Sequence, residues 1–487
     1  WFDATWLPGG NLSVKMYNIN KQGHKGRLLF DREFVAHETR ELRLYGLGGK
    51  DIFHFAGVSG RQKVGIVGGE GKDSLMNESS GRRRVWVYDQ PAGIQLAGRR
   101  VFNRTSDDQH VNDYDRKDFE YNRFAPKHTV SYNIDDGIFL GPGFSTIAHG
   151  FRKKPYSSHH MLQASVAVRT LSFTVKYEGR FPQWIGKWDL EIDADVRSPN
   201  FVNNFFGWGN ESVYDQNINQ QPNLDVPNAI DYYRLRFRDF RGEARLRRRL
   251  GQWAYVKAGP IFHRGEVVKP SGDRFINVYD ATLPESILAI PRTFLGVGYV
   301  VGIDRRDNIT YTTRGLMLKY TSRWMNGLDA PNYTSHNASL TIYQSFRLPA
   351  KVTYVFNAGG GFNTGTYQLF QAQALDGKTD VRGFRKTRFY GDSKAYFNNE
   401  MRVRLGNLRT FLFPASFGVH AFYDVGRVWY KDANGVDPSA PTGTSDVWHH
   451  GYGGGIWLIP YEMTTIVSEV GHSAEGTLFY LRLGFNF

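Results

Sequence analysis

The sequence predicts an all-β protein: a transmembrane antiparallel β-barrel of 16 strands, give or take two, preceded by a small β-rich domain. Three observations carry this. Long stretches alternate apolar and charged residues with a period of two. No apolar run approaches the roughly 20 residues that a membrane-spanning helix needs. The last segment is an alternating strand that ends on an aromatic residue, Phe487.

The alternation is readable from residue 158 onward. Leu171, Phe173, Val175 and Tyr177 alternate with Ser172, Thr174, Lys176 and Glu178. Trp188, Leu190, Ile192, Ala194 and Val196 alternate with Asp189, Glu191, Asp193, Asp195 and Arg197. Tyr233, Leu235 and Phe237 alternate with Arg234, Arg236 and Arg238, and Met401, Val403 and Leu405 with Glu400, Arg402 and Arg404. In a strand, every second side chain lies on one face, so each segment has an apolar face and a charged one. A soluble sandwich alternates as well. The sustained charge on the second face, with Tyr and Trp near strand ends, favours lipid outside and water inside. The final strand repeats the pattern: Phe479, Leu481, Leu483, Phe485 and Phe487 against Tyr480, Arg482, Gly484 and Asn486. Such segments recur about every 20 residues from position 126, which suits tilted strands of roughly 9–11 residues plus turns. The longest apolar runs, such as Leu295 to Ile303, have about nine residues. Lipid admits only helices and closed barrels, so the choice lies between a soluble protein and a barrel.

Composition agrees. Aromatic residues make up 15% of the 487, and there are 53 glycines, as aromatic girdles and tight turns require. There is no cysteine, which excludes disulfides and thiolate chemistry. Lys and Arg exceed Asp and Glu by 61 to 47, a net charge of +14. The arginines are interleaved with apolar residues along strands, the pattern of a polar lumen and basic loops, and no nucleic-acid partner is expected. The first residue is Trp1 and no leader sequence is visible, as expected for a processed or longer product.

Three motifs follow one another in the second half. Asp304-Arg305-Arg306-Asp307-Asn308 precedes Gly315. Val381-Arg382-Gly383-Phe384 follows, and then Phe422-Tyr423-Asp424-Val425-Gly426. In this order, ahead of a terminal Phe, they resemble the BamA/TamA superfamily, also called the bacterial surface antigen family, over residues 126 to 487. The resemblance implies an outer-membrane barrel of a Gram-negative bacterium that acts in outer-membrane protein assembly or protein translocation. It implies a long loop, around residues 361–397, folded into the lumen with Val381, Arg382, Gly383 and Phe384 at its tip. Arg382 is then expected to pair with Asp424 on the strand that carries Phe422 and Gly426. A guanidinium and a carboxylate pair bidentately, and the pair strengthens where water is excluded. Glu400 is a candidate second carboxylate, and Phe487 a C-terminal recognition signal. One departure is Arg305, where the family's upstream motif usually has Thr. The implied partners are outer-membrane lipid, including lipopolysaccharide, a client outer-membrane or exported protein, and periplasmic or lipoprotein subunits.

Residues 1 to 125 read as a separate β-rich periplasmic domain. Gly46-Leu47-Gly48-Gly49-Lys50-Asp51 and Gly68-Gly69-Glu70-Gly71-Lys72-Asp73 lie 22 residues apart and approximate a calcium β-roll repeat, with Asp51 and Asp73 as weak cation ligands. Two copies are few for a roll, and the favoured reading is two Gly-Asp turns between short strands at 42–45, 52–55, 64–67 and 85–88. No metal and no cofactor is expected. The segment also resembles the part that joins a calcineurin-like phosphoesterase to its barrel in Bacteroidetes fusion proteins. That chain's catalytic motifs are absent here, so this chain is not expected to be an enzyme. The pairs His159-His160 and His449-His450 are adjacent, and on a strand they point to opposite faces, a poor metal geometry. The family's tandem client-holding repeats are not visible. The alternatives are an anchor or export module for an upstream periplasmic metallophosphoesterase, a structural subunit of a larger outer-membrane complex, or a passive porin.

Overall fold

The computed structural model describes residues 1–487 except 108–111, 113, 118, 134, 152, 284, 349, 410–412, 432–445 and 486, so Asn486 of the terminal alternation lies outside it. The chain divides into Trp1–Glu120 and Tyr121–Phe487.

In the first unit, the segments expected as strands are strands: Glu41–Tyr45, Ile52–Ser59, Lys63–Val67 and Val85–Tyr88. Their pairing is parallel, as in the roll that the favoured sequence reading sets aside. Successive turns of chain stack as a short β-solenoid. One sheet is ordered 101–103, 85–88, 63–67, 41–45, and the other stacks 94–98, 73–77 and 52–59 before passing to the hairpin strands near the N-terminus. Leu12, Phe53, Phe55, Val64, Ile66, Leu75, Val85 and Val87 fill the space between them. The two Gly-Asp turns lie one above the other, with Gly48 opposite Glu70 and Gly49 opposite Gly71. The Asp51 backbone N–H donates to Asp73 Oδ1 at 2.8 Å. Among the described residues, no cluster of three or more Asp, Glu or His has the arrangement of a metal site. Asp51, Asp73 and Asp89 instead form an acidic ladder. Burial first, and nearby Asp73 with it, push the carboxyls of Asp51 and Asp89 up to about 6.

The second unit is one antiparallel meander. We number its long strands β1 (Arg123–Asn133), β2 (Gly137–Gly150), β3 (Lys153–Ala167), β4 (Phe173–Ile185) and β5 (Trp188–Arg197). Then come β6 (Arg234–Leu250), β7 (Ala254–Val268), β8 (Arg292–Asp304), β9 (Gly315–Gly327), β10 (Tyr333–Leu348) and β11 (Ala350–Gly365). The last are β12 (Ser393–Arg409), β13 (Pro414–Trp429), β14 (His449–Pro460), β15 (Ile466–Ser473) and β16 (Gly476–Leu483). A short seventeenth segment, Val202–Asn204, continues the line of β5 along β6. Each strand pairs with its sequence neighbour, as hairpin connections dictate. The four longest connections, after β5, β7, β11 and β13, all leave the same end of the strands, the end at which barrels carry their long outer loops.

The period-two pattern sorts as lipid against lumen along most strands. Met401, Leu405, Phe479, Leu481 and Leu483 are exposed on the outer face, whereas Glu400, Arg402, Tyr480 and Arg482 are buried on the inner one. At the start of β6 the faces are exchanged. Leu235 is fully buried and Phe237 packs beside it under the loops, while Arg236 and Arg238 face water. The loop-side end of this strand belongs to a cap, with Phe205, Ile276, Tyr279 and Leu369 as its apolar interior. There water lies on the outer side of the strand and the core on the inner one.

Candidate functional site: an arginine-anchored loop in the barrel

The chain between β11 and β12 is the element that organises the interior. β11 stays in its ladder to Gly365 and β12 starts at Ser393, so the loop spans 366–392, tighter than the 361–397 read from sequence. Its tip packs on the inner face of the wall, against β12, β13 and β15. Asp376 starts a turn there, accepting the backbone N–H groups of Asp380 and Val381 on its carbonyl oxygen. Gly383 takes φ +101°, a left-handed conformation that suits glycine, and an added Cβ would lie 2.7 Å from the His472 backbone. Gly426 and Gly451 make room on the wall. A Cβ on Gly426 would meet Val381, and one on Gly451 would overlap the Arg382 carbonyl oxygen. Val381 and Phe384 pack with Leu375, Phe389 and Val428.

Arg382 is 1% exposed. Its Nε donates to Asp424 Oδ2 at 2.7 Å and its Nη2 to Asp424 Oδ1 at 2.9 Å, a bidentate fork. The Arg382 backbone N–H also donates to Asp424, at 3.1 Å. Nη1 donates to Glu400 at 2.7 Å and to Glu469 at 3.3 Å. The guanidinium carbon lies 3.5 Å from the centre of the Phe422 ring, so the ring face covers the cation. Glu400 and Glu469 each have further charged partners. Arg402 Nε donates to Glu400 at 2.7 Å, His420 bonds Glu469 at 2.9 Å, and Arg482 pairs with Glu469 as well. Three arginines thus face three carboxylates, leaving His420 aside, and the cluster is charge-balanced. Buried ions are tolerable only when paired and hydrogen-bonded, and this set is both.

The terminal strand completes the grip. Tyr480 Oη accepts the Gly383 N–H at 2.9 Å and donates to the Gly377 carbonyl at 3.0 Å. Ser473 Oγ donates to the Gly383 carbonyl at 2.8 Å. Beyond β16, Arg402 lies over the Phe485 ring at 3.7 Å and its Nη2 donates to the Phe487 carbonyl at 3.3 Å. The chain end is therefore tied to the same cluster.

The structure brings Arg382, Asp424 and Glu400 together with Phe422, and sets Gly383 and Gly426 at two of the close approaches. Glu469, Arg402, Arg482 and Tyr480 were missed as site residues. They are inward positions of alternating strands, and alternation says that a side chain faces the lumen, not which side chain it meets. The upstream motif lies elsewhere, in the turn between β8 and β9. Arg306 binds Asp304 bidentately, Asp307 accepts the Thr313 backbone N–H at 2.9 Å, and Arg305 stacks on Trp253 at 4.5 Å. Tyr311 of this turn packs on Trp457 and Phe485. The histidine pairs stay dispersed: His449 stacks on Phe389 at 3.8 Å while His450 bonds the Tyr423 hydroxyl at 2.8 Å. His159 and His160 bond Ser145 and Tyr177.

Comparison with known proteins agrees with this architecture. The Omp85 superfamily domain matches residues 185–460. A crystal structure of BamA from Haemophilus ducreyi lacking POTRA domains 1–3 is similar with a TM-score of 0.51 at 10% identity, over 74% of this chain and 69% of that one. CdiB from Acinetobacter baumannii gives a TM-score of 0.44 at 14% identity, over 75% of this chain and 60% of that one. No curated protein matches. The family match spans more than half of the chain, which therefore belongs to the Omp85 superfamily and is a β-barrel protein of the Gram-negative outer membrane.

Proposed function

We propose that this barrel assembles or translocates other proteins, passing a client segment to lipid or to the outside at the junction of β1 and β16. One observation carries the reading. β1 and β16 are the two edges of the meander and lie side by side, yet among the described residues they share no hydrogen-bonded ladder. Every other neighbouring pair of long strands does. An unpaired edge exposes main-chain donors and acceptors, to which an extended client strand can add. A cavity of about 400 Å³ lies against this junction, lined by Thr129 and Tyr132 of β1, Leu478 to Leu481 of β16, and Lys378 and Lys386 of the lumen loop. The reading needs no covalent chemistry. Arg382 and its carboxylates hold the lumen loop beside the junction. Periplasmic or lipoprotein subunits and lipopolysaccharide are the partners that this role calls on.

The test is reconstitution. An unfolded outer-membrane client is mixed with liposomes that carry the full chain or are empty, and its acquisition of heat-modifiable, protease-resistant form is timed. The proposal expects faster insertion with the protein present. Equal rates, with the barrel folded, contradict it and return the chain to an anchor or a passive pore.

A further inference from the structure

A second cavity, of about 270 Å³, lies between the inner wall and the loop segment at 370–374. It is lined by Arg241 of β6, Arg323 of β9, Ser335 and Asn337 of β10, Gln371 of the loop and Lys394 of β12, among others. No carboxylate lines it among the described residues. Lys394 is neutralised by Asp380 at 2.7 Å. Arg241 has neither an ion pair nor a hydrogen bond to a carboxylate among the described residues. Among the described residues Arg323 reaches one carboxylate, Glu243, at 3.6 Å, and that carboxylate is already held closely by Arg245. Asp239 is occupied by His263 at 2.6 Å. The charges of Arg241 and Arg323 repel across the space.

Neutral residues of the lining also carry spare donors. Gln371 Nε2 is buried without a hydrogen-bond partner. Ser335 Oγ accepts N–H groups from Asn337 at 3.3 Å and from Gln373 at 3.4 Å, which leaves its own O–H to give. Two guanidinium forks, the unpartnered Gln371 N–H groups and the remaining Ser335 O–H are donors that no carboxylate of the lining answers among the described residues. Buried donors left unmade are costly, and guanidinium forks match the oxygens of a tetrahedral oxyanion.

We propose that this cavity is an anion site for a phosphate group, either free phosphate or a small phosphomonoester. The bound oxyanion bridges wall and loop, joining Arg241 and Arg323 to Gln371 and so fixing the segment at 370–374. The strands of the wall separate the site from lipid, so lipid headgroups are not the ligand.

The experiment titrates inorganic phosphate into the purified full chain in detergent at low ionic strength, followed by calorimetry and ³¹P line width. One saturable site is expected. Arg241→Gln with Arg323→Gln should weaken it at least tenfold, and Gln371→Leu, which keeps both charges, severalfold. Arg238→Gln, on the outer rim where Arg238 pairs with Glu266, should leave it unchanged. If the double variant loses heat-modifiable folding, Arg241→Gln alone serves, since its loss strands no carboxylate. Displacement of phosphate by glycerol 3-phosphate assigns the phosphomonoester, and failure to displace it assigns the free ion. Absence of saturable binding by the parent, or equal binding by the folded arginine variants, overturns the site.

Discussion

Arg382→Ala is the perturbation that most exposes how the lumen loop is held. It removes two side-chain bonds to Asp424, one to Glu400 and one to Glu469. Glu400 keeps Arg402, and Glu469 keeps His420 and Arg482, but Asp424 is left buried without its cation. Removing one partner of a buried pair costs about 3–5 kcal/mol. Spent on the docked loop alone, that lowers its docking constant by roughly two to three and a half orders of magnitude. Asp424→Asn is milder, since Arg382 retains Glu400 and Glu469. Loss of charge-assisted hydrogen bonding there costs about 1.5–3 kcal/mol. The exchange Arg382→Asp with Asp424→Arg does not restore the parent, because position 382 also faces Glu400 and Glu469, and the exchange sets a third carboxylate beside them. Single-channel conductance in planar bilayers reads loop release, and heat-modifiable migration reads barrel folding. The expected result is a folded barrel with raised, fluctuating conductance for Arg382→Ala and the exchange, and a smaller change for Asp424→Asn. Parent-like conductance in the exchange would refute the multi-carboxylate account, and parent-like conductance in Arg382→Ala would refute the anchor itself.

Other outcomes follow from the same geometry. Gly451→Ala should release the loop as Arg382→Ala does, because its Cβ would overlap the Arg382 carbonyl oxygen, and the same conductance assay checks it. Deleting Phe487 removes the carbonyl that Arg402 Nη2 contacts, and should slow barrel assembly in cells more than it lowers the thermal stability of barrel already folded. The acidic ladder of the first unit sets a pH dependence. Carboxyls raised to about 6 by burial hold their protons more tightly folded than unfolded, so the stability they contribute is present below about pH 4 and is lost as pH rises toward 6. Residues 41–103 of the full chain should therefore resist proteolysis better at pH 5 than at pH 7.5. Asp89→Asn should reduce that difference by raising resistance at pH 7.5.

How much of this the sequence discloses depends on how many solvents a segment meets. Residues 188–197, 400–405 and 479–483 lie between lipid and a polar lumen, and their alternation reports both directly. Residues 234–238 show the same pattern with the faces exchanged, because the apolar side covers the cap, and period alone cannot distinguish lipid from a protein interior. Arg382 and Asp424 are named by motif, whereas Glu469 sits in an ordinary inward position 87 residues from Arg382 along the chain and no local signal links the two. The solenoid stayed hidden for a related reason. Its 22-residue spacing is plain in two turns, but the third coil, through Val85–Tyr88 and Ile94–Gly98, lacks the glycine-rich turn and breaks the repeat.

The central claim, that the working edge is the junction of β1 and β16, is tested most directly by locking it. The chain has no cysteine, so Thr129→Cys on β1 and Leu478→Cys on β16 supply a unique pair beside one cavity. A short thiol crosslinker then joins them in reconstituted protein, with reducible and non-reducible forms compared. The account predicts that crosslinked barrel stays heat-modifiable but no longer speeds client insertion, and that reduction restores the rate. Undiminished insertion by the fully crosslinked protein would contradict it.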